Sequence, residues 1–173
     1  MIKRMLCLSL FAAACLTAGD PINFSGEWIF NQSKSVLDDN GAMFLPARMI
    51  LAQSGNDLTV QKIFSSPDQG EFTGEEKLTL DGMECKSDFM NSPRVSTAKW
   101  SPKGDTLTVS TTIAFDMNGE KSEMTMKEAY SLKDDGKALS VGHSSKSTWG
   151  ERNLSLVYDK KEAPAEPAKV PAK

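Results

Sequence analysis

The residues of this sequence that could do chemistry are few, and their spacing does not form a catalytic site. His143 is the only histidine, so a histidine-rich metal centre is ruled out. The acidic pairs Asp38-Asp39, Glu75-Glu76 and Asp134-Asp135 are poor carboxylate dyads, because neighbours on a strand point to opposite faces. Neither a Gly-x-Ser-x-Gly motif nor a phosphate-binding glycine loop is present. The sequence therefore predicts no catalytic residue, no cofactor and no metal ligand.

Four ionisable side chains each lie on the apolar face of a different predicted strand: Lys62, Glu76, Glu128 and His143. Residues two apart on a strand point the same way, so each should face inward with its apolar neighbours. Buried charges are costly unless they are paired or hydrated. The pattern therefore predicts an internal ion-pair network or a wet cavity that binds the polar head of a ligand. A bulge or register shift that returns these side chains to solvent is the alternative.

The chain has nine methionines, and thioethers in an exported protein could hold Cu(I). Met124 and Met126 alternate as core residues do, however, and no tight Met-x-x-Met series occurs. Methionine fills irregular cavities, so cavity lining is the favoured interpretation. With Met49 and Tyr130, these residues complete the predicted ligand-binding set.

The strands that must position these residues are visible as alternating apolar patterns. The clearest strand carries Leu107, Val109, Thr111, Ile113 and Phe115 on one face. The sequence contains about nine or ten such short strands separated by short turn segments, and this pattern predicts an all-β sandwich or barrel.

Turn signals separate the predicted strands. Gly55-Asn56, Gly104-Asp105 and Gly136-Lys137 are each followed by a Leu-x-Val strand start. Asp81-Gly82 and Asn118-Gly119 are also predicted to turn hairpins, since these residues supply the backbone angles of tight turns. The unequal spacing argues against a duplicated domain and for a meander.

The first predicted strand carries the most specific motif. Phe24, Gly26, Trp28 and Phe30 lie on one face, and the glycine leaves room for something bulky over the strand. Gly26-Glu27-Trp28 resembles the Gly-x-Trp signature of the lipocalins and the wider calycin barrels. The chain also resembles a group of bacterial lipocalin-like proteins that begin FSGxW and end LVYDKK, which here runs from Leu156 to Lys161.

The resemblance implies an all-β, lipocalin-like fold, an antiparallel up-and-down β-barrel of about 8–10 strands. It also implies a small apolar or amphipathic ligand in the barrel. Trp28 would close one end, with Arg152 as the basic residue across it. The first connection would cover the open mouth, with Leu37, Met43 and Phe44 as a plug. A short helix packed on the outside is the alternative for this loop.

A fold does not determine a function, and two rivals to ligand binding stay open. One is a structural or interaction module whose barrel is filled with side chains. The other is an enzyme on the same scaffold, which would need polar groups that converge in the cavity. A monomer is expected.

Residues 1–19 are predicted to be a secretory signal. Lys3 and Arg4 precede a largely apolar run, Met5 to Ala14, that is too short to span a bilayer as a helix. Cleavage is expected at or after Ala14 and up to Gly19. The barrel domain would then comprise residues 20–161.

Residues 162–173 have spaced prolines and no apolar period, which predicts a disordered tail. Ala12-Ala13-Ala14-Cys15 resembles a lipobox, so lipidation of Cys15 and ordinary cleavage are both open. The expected location is periplasmic, secreted or lipid-anchored at a bacterial membrane. The only membrane contact expected is through that anchor.

Charge and cysteine content argue against nucleic-acid binding, an intrachain disulfide and a nucleophilic cysteine. The net charge is −3, and no lysine- or arginine-rich run occurs between Phe24 and Asp159. Nucleic acid is therefore excluded as a partner. Cys85 is alone in the predicted domain, so no intrachain disulfide is expected there, and a packing role is favoured over a nucleophilic one.

Overall fold

The computed structural model describes residues 22–66, 70–117 and 119–162. Within these ranges the chain forms ten strands. They are β1 (Gly26–Phe30), β2 (Arg48–Ser54), β3 (Asp57–Ser66), β4 (Gly70–Thr79), β5 (Cys85–Phe89), β6 (Ser92–Trp100), β7 (Leu107–Met117), β8 (Glu120–Lys133), β9 (Ala138–Ser147) and β10 (Gly150–Lys160). Two short 3-10 turns, Gln32–Lys34 and Asp134–Gly136, follow β1 and β8. The predicted signal and nearly all of the predicted tail lie outside the described residues.

All ten strands form one antiparallel sheet in the order β4-β3-β2-β1-β10-β9-β8-β7-β6-β5. The last strand returns to pair with the first, with Trp28 opposite Lys160. Every other pairing joins strands that are consecutive in sequence. The result is a nearly closed up-and-down barrel, so the predicted fold of about 8–10 antiparallel strands is confirmed.

The barrel has one seam, between β4 and β5, which are the two edges of the sheet. The turn at Asp81-Gly82 forms, with a φ of 84° at its glycine, but the predicted hairpin is wrong because the two strands do not pair. Arg94 Nη2 donates instead to the Glu75 carbonyl oxygen over 2.6 Å. The backbone N–H of Thr79 donates to Cys85 Sγ over 3.3 Å. Side chains therefore bridge the seam where a strand ladder is missing.

The two ends of the barrel differ because successive strands run in opposite directions. The closed end is the one at which β1 begins. Its tight turns after β2 and β6 contain Gly55 and Gly104, with positive φ values of 57° and 71°, as predicted. The open end carries the long β1–β2 connection, residues 31–47, and the hairpin turns that follow β3, β5, β7 and β9.

Alternate residues of each strand face the interior. On β7, for example, Leu107, Val109 and Ile113 are at most 2% exposed. At the closed end the inward side chains form a dense apolar cluster, here called the base, whose largest members are Trp28, Tyr130, Tyr158, Phe24 and Met49. Burial of each such side chain stabilises the fold by roughly 1.5–3 kcal/mol.

Among the described residues, no helix is both long and apolar enough to cross a membrane.

Candidate functional site

Trp28 closes the base from the first strand. Its side chain is fully buried, and the indole Nε1 donates to the Phe24 carbonyl oxygen over 3.0 Å. Phe24 stacks on Trp100 with ring centroids 5.6 Å apart. Gly26 has a φ of 150°, and a Cβ there would lie 3.1 Å from Lys160 Cε. Glycine is therefore the residue that fits this position without strain.

The basic residue that lies across Trp28 is Lys160. Its Nζ is 5.3 Å from the centroid of the Trp28 ring, which is a cation–π contact. The prediction of Arg152 for this position is wrong. Arg152 lies eight residues earlier on β10, which at about 3.3 Å per residue places it roughly 26 Å away, towards the open end.

Between the base and the open end lies a group of charged and titratable side chains, here called the polar belt: Lys62, Glu76, Arg94, Glu128 and His143. The ladder between β8 and β9 places Glu128 directly opposite His143. Lys62 Nζ lies 2.5 Å from Glu128 Oε2, and His143 Nδ1 lies 3.5 Å from Glu128 Oε1. The Tyr130 hydroxyl donates to Glu128 Oε2 over 2.7 Å. Glu128 is thus surrounded by three donors.

These contacts determine the charge states of Glu128 and Tyr130. Burial raises the pKa of Glu128, but Lys62 and His143 outweigh burial and hold that pKa well below its usual 4.5. Burial and the neighbouring carboxylate raise the pKa of Tyr130 well above its usual 10.0. Glu128 is therefore an anion at neutral pH, and Tyr130 remains a neutral hydroxyl donor.

Glu76 and Arg94 form the second ion pair of the belt. Arg94 Nε lies 3.4 Å from Glu76 Oε1, and the two side chains are only 7% and 10% exposed. The Ser96 hydroxyl donates to the same Glu76 oxygen and lies 2.9 Å from the Thr111 hydroxyl. Arg94 Nε also donates to Ser87 Oγ over 2.8 Å. Lys62, Glu76, Glu128 and His143 all face inward, so the register shift that would expose them does not occur.

The inner wall beyond the belt, here called the open half, is apolar but only partly buried. Its residues are Phe64, Phe72, Phe115, Met124 and Met126. Phe64 and Phe72 stack with ring centroids 4.8 Å apart, and Phe72 is 37% exposed. Phe115 meets Trp149 edge-on at 5.9 Å. This is an accessible apolar surface inside the barrel.

The predicted ligand-binding set is therefore split between three levels of the barrel. Met124 and Met126 are half-buried in the open half. Tyr130 joins the base to the belt. Met49 pairs opposite Trp28 and is 1% exposed in the base, so the structure does not bring it to the surface that the other two methionines share.

Arg152 holds the long connection at the open end. Its Nε and Nη2 donate to the two carboxylate oxygens of Asp38 over 2.7 and 2.8 Å. Its Nη1 donates to the Met43 carbonyl oxygen over 2.9 Å, and its Nη2 also donates to that of Gly41 over 3.1 Å. The guanidinium lowers the pKa of Asp38. The loop is therefore attached through charge and backbone.

The apolar plug predicted for this loop is only partly present. Leu37 packs against the core, but Met43 and Phe44 are 58% and 83% exposed. The prediction for these two residues is wrong because the Met43 carbonyl, bound by Arg152, faces the barrel while the side chains point away. The alternative, a short helix on the outside, is met only by one 3-10 turn, which has no buried residue. The loop consists of the 3-10 turn Gln32–Lys34 and a series of turns over 39–44.

Other chemistry finds little support in the part of the chain that the structure describes. No group of three His, Cys, Asp or Glu side chains there could hold a metal ion. Cys85 is a half-buried free thiol at the seam that accepts the Thr79 N–H. Cys15, the predicted lipidation site, lies outside the described residues.

Two concavities lie on the outer face of the barrel. The first, of about 560 Å³, crosses β6 to β10 and is lined by outward residues such as Thr97, Thr112, Lys127 and Ser144. The second, of about 440 Å³, lies beside it near Val36. The lining of the first is rich in hydroxyl groups, and neither lining includes a Phe, Tyr or Trp side chain.

Sequence reasoning missed Arg94, the partner of Glu76. The start of β6, Ser92 to Thr97, lacks the large alternating apolar residues by which the other strands were found. Counting parity back from Trp100 through Ala98 places Arg94 inward, and that signal was available.

The geometry defines a class of fold: a nearly closed antiparallel up-and-down barrel with a filled base. This fold is similar to that of zebrafish ileal bile acid-binding protein, whose crystal structure was determined with cholic acid. The TM-score is 0.51 and the identity 14%, and the match covers 80% of this chain and 98% of that one. At this identity the likeness shows the fold alone. No protein-family model matches the chain, and no curated protein matches it in sequence.

Proposed function

We propose that this protein is an exported binding protein that holds one small apolar or amphipathic molecule in the open half of its barrel. The observation that carries the proposal is the partly exposed apolar wall formed by Phe64, Phe72, Phe115, Met124 and Met126. Apolar surface in water costs roughly 25 cal/mol per Å², so a ligand that covers this wall gains free energy.

The polar belt supplies the floor of such a site. An apolar ligand cannot pass the belt into the base, because the base is filled by residues such as Trp28, Leu107 and Tyr130 that are at most 1% exposed. A polar group on the ligand can approach the belt, whose buried ion pairs favour a polar environment. This arrangement suits an amphipathic molecule better than a purely apolar one.

The comparison supports the kind of partner. The structurally similar zebrafish protein is titled a bile acid-binding protein and was crystallised with cholic acid, a small amphipathic molecule. Binding without catalysis also suits the belt, since Glu128 Oε2 already accepts from Lys62 and Tyr130 and Oε1 faces His143. Export rests on the sequence, in which Lys3 and Arg4 precede an apolar run.

A second function is favoured by a different observation. The outer concavity of about 560 Å³ suits a barrel that contacts another macromolecule through its outer face, as an interaction module with a filled interior. Such a module would bind no small molecule in the open half, and this difference separates the two functions.

Binding of the uncharged dye N-phenyl-1-naphthylamine, followed by its fluorescence, tests the proposal. The wild-type protein is expected to bind the dye with a saturable one-to-one isotherm. Met126→Gln should weaken binding by about fivefold, since it loses roughly 1 kcal/mol of apolar contact. Thr125→Gln is the matched control, because Thr125 is the adjacent, outward-facing residue of β8. No saturable binding, or equal loss in both variants, would reject the open half as the site.

A further inference from the structure

We infer that the polar group of the ligand is uncharged, as in a monoacylglycerol or a long-chain alcohol, and that carboxylates and ammonium compounds are excluded. The inference rests on the proposed function and names the class of ligand for the same site. It comes from the charge pairing inside the barrel, where Lys62, Arg94 and Arg152 each already have a carboxylate partner.

Three cationic side chains that line the belt and the open end, those of Lys62, Arg94 and Arg152, each have their own carboxylate. Lys62 pairs with Glu128 at 2.5 Å. Arg94 pairs with Glu76 at 3.4 Å. Arg152 pairs with Asp38 at 2.7 Å. The three positive charges are thus matched by three negative charges.

The two guanidinium groups also donate to other groups of the protein. Besides its two bonds to Asp38, Arg152 donates to two backbone carbonyl oxygens of the long loop. Arg94 donates to Ser87 Oγ and to the Glu75 carbonyl oxygen. A ligand carboxylate that took the place of Asp38 on Arg152, or of Glu76 on Arg94, would leave that protein carboxylate unpaired.

An uncharged polar atom at the wall of the open half, in contrast, lacks a hydrogen-bond partner. Ser122 Oγ is buried and has no hydrogen-bond partner. Ser122 follows the inward parity of Met124 and Met126 on β8, and its register partner is Phe115. A buried hydroxyl without a partner is unusual in a folded protein, and a ligand hydroxyl or carbonyl would satisfy it.

A charged and an uncharged ligand group differ in the free energy that it costs to remove them from water into this site. A charged ligand group would bring an unpaired charge into a site whose own charges are balanced, and desolvation of an unpaired charge costs far more than that of a hydroxyl. The hydroxyl group loses little, because it can exchange its hydrogen bonds with water for bonds to groups such as Ser122. The barrel should therefore select on charge more than on the apolar chain.

Calorimetric titration with three ligands of one chain length tests the inference: 1-monodecanoylglycerol, decanoate and decyltrimethylammonium, each below its micelle concentration. The titrations are run at about pH 8.5, where imidazole groups are in general uncharged and carboxylates are ionised. The neutral ligand is expected to bind at least about tenfold more tightly than either charged ligand, which corresponds to about 1.4 kcal/mol.

Glu128→Gln removes one negative charge from the barrel interior and so tests the role of the charge pairing. Glu128→Gln leaves Lys62 without its carboxylate, so the affinity for decanoate should rise by about tenfold relative to the neutral ligand. Glu123→Gln makes the same charge change on the outward face of β8 and should leave the ratio unchanged. If Glu128→Gln does not fold, the wild-type series decides alone.

The outcomes are distinct. Tightest binding of decanoate or of decyltrimethylammonium to the wild-type protein would overturn the inference and leave the proposed function intact. Equal affinity for all three ligands would also overturn it, since charge would then play no role. Binding of none of the three would overturn the proposed function itself.

Discussion

Glu128→Gln removes the anion from the buried pair with Lys62 while keeping the shape of the side chain and an acceptor for Tyr130. The variant should destabilise the barrel because Lys62 stays buried without a counter-charge. Loss of one partner of a buried ion pair typically costs about 3 to 5 kcal/mol. Lys62 is 18% exposed and Glu128 11%, so partial hydration places the expected loss at the lower end, about 3 kcal/mol.

Removal of both charges should cost less than the two single changes together. In the double variant Lys62→Met/Glu128→Gln neither group is a buried unpaired ion. The loss of stability in the double variant should therefore be about 2 kcal/mol smaller than the sum of the losses in Lys62→Met and Glu128→Gln. Urea unfolding of the four proteins, with an unchanged dependence on denaturant, gives the free energies directly. A loss of 3 kcal/mol should also lower the melting midpoint by about 10 °C in a domain of this size.

An exposed pair of similar length provides the control. Lys146 Nζ lies 2.6 Å from Glu151 Oε1, but the two side chains are 73% and 59% exposed. The cycle of Lys146→Met and Glu151→Gln should therefore show coupling close to the experimental error. If the buried and the exposed cycles give the same coupling, burial does not determine the strength of the Lys62–Glu128 pair, and the argument for the polar belt fails.

Three further predictions concern the closed end, acid and export. Trp28→Ala should lose about 3 to 5 kcal/mol by urea unfolding, whereas Trp149→Ala, at a residue 64% exposed, should lose far less; equal values would contradict the closing role of Trp28. Because folding lowers the pKa of Glu128, its stabilising contribution is present above its usual 4.5 and is lost as pH falls through the lower folded value. Acid unfolding should therefore be flatter in Glu128→Gln, and identical pH profiles would show that this carboxylate does not contribute. Intact-mass analysis of the protein from its own host should give a start between residues 15 and 20, or a lipid on Cys15; a chain that still begins at Met1 would refute the signal.

The strands and the inward charges could be predicted from the sequence because both follow from a period of two. Leu107, Val109 and Ile113 identify their own face, and the same parity directs Lys62 and Glu128 inward. That Lys62 and Glu128 meet could not be predicted, since they are 66 residues apart and their contact depends on how the sheet closes.

The wrong predictions concern contacts that depend on how separate strands are placed relative to one another. The basic partner of Trp28 depends on the β1–β10 register, which brings Lys160 to Trp28 and sends Arg152 to Asp38 at the other end. The hairpin expected at Asp81-Gly82 has the right turn residues, but the edges of the sheet fall there. No local pattern marks where a barrel leaves its seam.

The most direct test of the central claim is a nuclear magnetic resonance titration of protein labelled at its methionine methyl groups. N-phenyl-1-naphthylamine, whose rings shift nearby resonances strongly, should move the methyl signals of Met124 and Met126 in the open half. The signals of Met49, buried in the base, and of Met83, 66% exposed after β4, should stay in place. Saturation that leaves Met124 and Met126 unchanged, or that moves Met83 alone, would show that the barrel interior is not where this protein binds.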